Sequence, residues 1–80
     1  MVYIKEEVKT DNIYKIVGRN IQKYRKLRGL TGEQLAELCS LSYGYIKNLE
    51  SKKVYATISI ETLKLIADKL KVKLGDFFEE

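Results

Sequence analysis

Eighty residues leave room for one small domain, since a chain of this size hides only roughly 60–65% of the surface it exposes when unfolded. With 45% apolar and 32% charged residues the chain is too apolar for wholesale disorder, and no apolar stretch is long enough to span a bilayer. One Cys and no His exclude an internal disulfide and a Cys/His zinc site, and they remove the commonest general base.

The opening MVYIKEEVKT places acids where a signal peptide needs a long apolar run, so the expectation is a cytoplasmic protein with no targeting segment. No paired carboxylates or Gly-rich phosphate loop stand in for the missing histidine, so no catalytic residue, cofactor, metal or small-molecule ligand is expected. The formal charge of +4 is unevenly spread. Residues 15–53 hold nine basic side chains (Lys15, Arg19, Lys23, Arg25, Lys26, Arg28, Lys47, Lys52, Lys53) against three acids, a net of +6, whereas residues 1–14 and 54–80 each come to −1. Such a concentration is either a solvated helix face or a surface that faces phosphates.

In chain order, residues 1–11 read as an N-terminal arm and 12–80 as one all-helical domain, with no Pro, repeat or linker to divide it. Apolar Ile13, Ile16, Val17, Ile21, Tyr24 and Leu27 recur mostly at steps of three and four, which predicts a helix over 12–28 closed by Gly29. Thr31 is the expected N-cap of a second helix reaching Cys39, with Glu33 in its first turn, Gln34 at the capping-box position, and Leu35, Ala36 and Cys39 facing inward. Ser42 opens a third helix near 43–51 with Ile46 and Leu49 inside. Ser59 caps a fourth, Ile60 to Leu70, with Leu63, Ile66, Ala67 and Leu70 on one face, and LGDFFE at 74–79 forms a last helical turn or two. Residues 54–60 are partly alternating and β-branched, but seven residues with no partner strand read as the loop between helices three and four.

Two short helices joined by a tight turn need a small shared core, and residues 32–51 supply one through Leu35, Ala36, Cys39, Leu41, Ile46 and Leu49. Tyr43, Gly44, Lys47 and Asn48 are left to face outward. Over residues 17–78 the segments VGRNIQKYRKLRGLTGEQLAEL, LSYGYIKNLESKK and SIETLKLIADKLKVKLGDFF follow one another with the order and spacing of a known family. The sequence resembles the Cro/CI-type (XRE-like) helix-turn-helix regulators of bacteria and phages, which include the small controller proteins of restriction–modification systems.

The resemblance implies a five-helix, lambda-repressor-like DNA-binding domain whose third helix enters the major groove while the second lies across the backbone. Carried over by position, the base-reading residues are Tyr43, Gly44 and Asn48, with Tyr45 and Lys47 beside them near phosphates. Asn48 suits an adenine edge and a tyrosine ring suits a thymine methyl, while Lys47 supplies unspecific charge. Either tyrosine can instead pack into the domain, Tyr45 being the stronger candidate. In this family an arginine of helix one pairs with the glutamate closing helix three, which implies an Arg25–Glu50 ion pair here.

This chain departs from the family pattern in places. Gln usually starts the second helix, where it bridges a phosphate to the third; Gly32 stands there, so the contact is absent or falls to Thr31 or a backbone N–H. Gly44 leaves either a notch that bases approach or a position that nothing reads. Ser40 takes the turn position usually held by Gly and so is expected at positive φ. The loop 52–58 is about two residues longer than usual, with Ile58 where Pro is common, and Lys52, Lys53 and Tyr55 are placed to grip the DNA backbone.

Family members bind double-stranded DNA as two-fold homodimers, their reading helices about 34 Å apart. Leu65 points away from the stripe that packs helix four, and with Leu74, Phe77 and Phe78 it makes an expected dimer patch, unless it is a lone exposed leucine; of the two phenylalanines, one can fill the domain's own core while the other stays outside. The resulting expectation is a sequence-specific DNA-binding transcriptional regulator recognising a short inverted repeat. The alternative is a protein-interaction adaptor, or an antitoxin-like module, that keeps the scaffold without reading DNA.

Overall fold

The computed structural model describes residues 10–54 and 56–80. Four α-helices, α1 (Thr10–Leu27), α2 (Gly32–Cys39), α3 (Tyr43–Glu50) and α4 (Ile60–Leu70), are followed by a 3-10 helix, Leu74–Phe78. No strand occurs among the described residues, and those described between α3 and α4, 51–54 and 56–59, have no regular structure. The expected fifth helix is therefore a tighter 3-10 segment, and the all-helical architecture holds. Positions 1–9 of the expected arm, and Tyr55, lie outside the described residues.

Each helix end is closed by the local chemistry the sequence offers. At the start of α2 the Thr31 hydroxyl accepts the Gln34 N–H at 3.0 Å and the Gln34 side chain accepts the Thr31 N–H at 2.8 Å, a complete capping box. Ser42 and Ser59 cap α3 and α4, accepting the N–H groups of Tyr45 and Thr62. Three helices end in a left-handed residue: Gly29 at φ 69°, Ser40 at φ 56° and Lys71 at φ 59°. In each case the next N–H folds back onto a helix carbonyl: Leu30 to Arg25, Leu41 to Ala36 and Val72 to Ala67. Ser40 thus takes the expected conformation, and Lys71 does the same with no sequence signal beyond the end of the apolar stripe.

The core sits where all five segments meet. It takes Val17 and Ile21 from α1, Leu35, Ala36 and Cys39 from α2, Ile46 and Leu49 from α3, Leu63, Ile66, Ala67 and Leu70 from α4, and Phe77 from the 3-10 helix. Burial pushes the Cys39 thiol up from its ordinary range, which keeps it protonated and inert. Leu27, expected on the inner stripe, is 64% exposed. Two successive steps of three, Ile21 to Tyr24 to Leu27, walk about 120° back around the helix, off the buried face. Ile13 is also exposed, because it overhangs the end of the core; with Ile58, Ile60 and Phe78 it lines an open apolar groove of about 220 Å³.

Polar residues seal what the apolar stripe leaves open. Buried Asn20 donates from Nδ2 to the carbonyls of Phe77 (2.7 Å) and Glu79 (2.8 Å), tying the C-terminal segment to α1. The Tyr24 hydroxyl donates to the Glu79 carboxylate at 3.0 Å, and that bond raises its pKa above the ordinary tyrosine value. Arg28, counted by sequence within the basic stretch, donates to the carbonyls of Leu70 and Lys71 and so caps the C-terminus of α4. Phe77, expected on an exposed dimer patch, is wholly buried; it meets Tyr24 edge-on and fills the space beneath α1. Phe78 and Leu65 are exposed and Leu74 is half-buried.

Candidate nucleic-acid interface

Helix α3 is eight residues long and only Ile46 and Leu49, three apart, are buried. That spacing turns Tyr43, Gly44, Lys47 and Asn48 to the opposite side, where all four are exposed. Around Gly44 there is open space, and the Asn48 amide and Lys47 ammonium make no hydrogen bond to any described residue. A free amide next to a free cation, flanked by a half-exposed phenol, can bond to base edges and phosphates and pack on a methyl.

What holds this face in place comes from α1. Arg25 is buried and forks onto Glu50, Nε to Oε2 and Nη2 to Oε1, both at 2.8 Å, while Nη1 donates to the Leu30 carbonyl at 2.8 Å. The two side chains are only 11% and 9% exposed. The hydrogen bonds to Glu50 hold the guanidinium proton above its already high range, against the desolvation that opposes it, and nearby Tyr43 adds a smaller contribution in the same direction. The ion pair therefore spans from the body of α1 to the last residue of α3.

A second contact was not anticipated from sequence. Gly18 is buried where α1 crosses the end of α3, and a Cβ there would collide with the Leu49 carbonyl oxygen. Only a residue without a side chain lets the two backbones come this close. The sequence signal was a lone glycine inside a long helical pattern, which needs either a packing or a functional reason.

The remaining expected contacts divide. Lys52 and Lys53 are exposed just past α3, and Lys15 donates from Nζ to the Lys52 carbonyl at 2.8 Å. Thr31 is exposed at the mouth of α2, its oxygen occupied by the capping box, and Gly32 follows it half-buried. Tyr45 differs from its expected place near phosphates. It is half-buried against the core and its hydroxyl donates to the Thr57 carbonyl at 3.2 Å, with burial raising its pKa. At the first turn of α3 its ring faces the loop into α4, and it braces that loop.

Sequence reasoning left Lys15, Arg19 and Gln22 out of the site. They recur at steps of four and three along α1 and, with Ser51 and Lys52, line a cleft of about 270 Å³ beside the end of α3. A neighbouring cleft of about 310 Å³ runs on past Gln22, Arg25 and Glu50 to Gly32, Tyr43 and Lys47. The polar stripe 15, 19, 22 was visible in the sequence, but its side of α1 was not. Among the described residues no helix is long and apolar enough to cross a membrane.

Comparisons with known proteins agree with this architecture. The helix-turn-helix family HTH_3 matches residues 21–77. The control protein C.SmaI of Serratia marcescens is 35% identical over 63 residues, which covers 79% of this chain and 73% of that protein. The HTH-type transcriptional regulator SlrR of Bacillus subtilis is 33% identical over 64 residues, 80% of this chain and 41% of SlrR, so the chain spans less than half of that relative. Among solved structures, the master regulator for biofilm formation SinR, in complex with DNA, matches with a TM-score of 0.72 and 25% identity over 79% of this chain and 98% of the SinR chain. The chain belongs to the HTH_3 helix-turn-helix family, the XRE type of DNA-binding transcription regulators.

Proposed function

We propose that this chain is a sequence-specific regulator that binds a short inverted-repeat operator in the cytoplasm as a homodimer, with α3 in the major groove. One observation carries the reading: the outer side of α3 is covered by no other described element, while its inner side is fixed by the core and by Arg25. SinR, a similar structure, is seen in complex with DNA. Asn48 is assigned to an adenine edge, Tyr43 to the adjoining base pair, Gly44 to close approach of the groove, and Lys47, Lys52, Lys53 and Thr31 to phosphates. Lys15 and Arg19 extend that basic track along α1. For the dimer, Leu65 and Phe78 are exposed apolar residues free to meet a second copy, with half-buried Leu74 as a third candidate; a monomer mass by light scattering at micromolar concentrations removes that part of the proposal.

Selection of bound sites from a random-sequence DNA pool is the decisive experiment, because it reports specificity, half-site spacing and symmetry together. Asn48→Ala should cost about 1–3 kcal/mol on the selected site and relax a single position. An equal loss on every sequence would demote Asn48 to a backbone contact. Binding through several phosphates should also weaken by orders of magnitude between roughly 50 and 200 mM salt. Absent or salt-indifferent binding would favour the protein-interaction adaptor instead.

A further inference from the structure

Gly32 opens α2 and Tyr43 opens α3, and the two positions face each other across the mouth of the helix pair. A Cβ built on Gly32 would stand 3.0 Å from Tyr43 Cε1, 3.6 Å from Cδ1 and 3.9 Å from Ile46 Cγ2. Contact at 3.0 Å is tighter than most carbon contacts, so the ring would have to give by a few tenths of an ångström to admit a side chain at position 32. One edge of the phenol therefore rests on the start of α2. Yet Tyr43 is 48% exposed, so the other edge remains open on the same side as Gly44, Lys47 and Asn48. Both residues also border the cleft that contains Arg25 and Glu50, whose fork fixes the end of α3. Tyr43 makes no hydrogen bond to a described residue that would hold its ring in this pose. The open backbone at 32, beside the Arg25 end of the cleft, leaves the ring the space it occupies.

We propose that Gly32 is a specificity-determining residue of this chain: by lacking a side chain it seats the Tyr43 ring against α2, and the seated ring presents its free apolar edge to the methyl group of one thymine in each half-site. This rests on the DNA-reading role of α3 argued above and assigns to position 32 a task other than a phosphate contact. A ring laid back in this way offers carbon rather than a hydrogen-bonding fork to the groove. Thymine is the base that displays carbon there, through its C5 methyl. An alanine at 32 would move the ring by a few tenths of an ångström, which changes the fit to a methyl while leaving phosphate contacts in place.

The test uses the full chain and its selected operator, with each thymine of the half-site replaced in turn by deoxyuridine, which removes only the methyl. For the parent protein one such replacement should weaken binding about fourfold, the worth of burying one methyl group. Tyr43→Ala should bind thymine and deoxyuridine equally at that position. Gly32→Ala should lose most of the same discrimination while keeping its salt dependence. In the Gly32→Ala, Tyr43→Ala double variant, the alanine at 32 should have no further effect on binding, since the ring it displaces is gone. Indifference of the parent to every methyl, full discrimination in Gly32→Ala, or additive losses in the double variant each overturn the proposal alone. If the parent selects no site at all, the DNA-reading role fails first and takes this one with it. Should Gly32→Ala prove unstable, Tyr43→Leu in the parent background supplies the second arm: a smaller apolar side chain should keep part of the methyl preference, and a full loss or no change both count against the seated ring.

Discussion

Helices α3 and α4 are each capped by a serine whose hydroxyl accepts the N–H three residues on, yet α4 seats four residues in the core and α3 only two. Helix α4 is held by an apolar stripe, Leu63, Ile66, Ala67 and Leu70, and by Arg28 at its far end. Helix α3 is held by directional contacts: the Arg25 fork on Glu50, the close backbone approach at Gly18, and the Tyr45 hydroxyl on Thr57. Apolar burial is strong but non-directional, so it sets whether a helix stays docked. A bidentate ion pair and a backbone contact set the angle at which it stays. On the reading proposed above, a helix that meets base edges needs more of the second kind of constraint, and α4, with four residues in the core, has only the Arg28 hydrogen bonds at its far end.

The largest break in this contrast should come from Arg25→Ala. It leaves the Glu50 carboxylate stranded at 9% exposure and should lower unfolding free energy by about 3 kcal/mol, the low end for a buried pair because some water reaches it. DNA affinity should fall with it, and an unchanged melting midpoint would refute the architectural role. Stability and angle can be separated by the Arg25→Met, Glu50→Leu double variant, since replacing both partners of a buried pair with apolar groups is often neutral. Its midpoint in urea should return to within about 1 kcal/mol of the parent, while affinity for the selected operator stays low. Full recovery of affinity would mean that the core alone orients α3.

Gly18→Ala probes the close approach and should be intermediate. In an ordinary mid-helix site this change stabilises by about 1 kcal/mol through backbone entropy. Here the added methyl meets the Leu49 carbonyl, and overpacking against backbone costs about 3 kcal/mol at the upper end of its range, leaving a net loss of about 2 kcal/mol. Urea unfolding should show a lower midpoint with an unaltered slope. A gain in stability would mean that α1 and α3 can slide apart freely, and the contrast with α4 would lose one of its three supports.

Much of this was readable in advance, and the reasons are local. Caps at Thr31, Ser42 and Ser59 and the stripe of α4 depend on residues within one or two turns of each other, so the sequence carries them directly, whereas the left-handed turn at Ser40 was expected from the family pattern. The family resemblance supplied the Arg25–Glu50 pair. What escaped were contacts between segments far apart in the chain. Gly18 against Leu49, Asn20 on the carbonyls of Phe77 and Glu79, and Arg28 on the end of α4 join positions that no periodicity links. Phe77 and Phe78 show the same limit: adjacent and chemically identical, they are sent to the core and to the surface by the phase of a five-residue 3-10 helix.

Tyr45 gives the smallest and most discriminating comparison, because chemistry alone suited it equally to a phosphate and to the protein interior. Tyr45→Phe keeps the ring that packs on the core and removes only the hydroxyl. With the hydroxyl on the exposed Thr57 carbonyl, water replaces it in the variant, so the loss should stay near the low end for a hydrogen bond, about 0.5 kcal/mol. That shift should appear in the melting midpoint, with affinity for selected and random duplexes unchanged. A hydroxyl spent on DNA would give the reverse pattern, an unmoved midpoint and a uniform loss on every sequence, since a phosphate contact carries no base information. Tyr45 would then belong with Lys47 on the reading side, and the loop into α4 would have to be braced by the half-buried Ala56 and Ile58 alone.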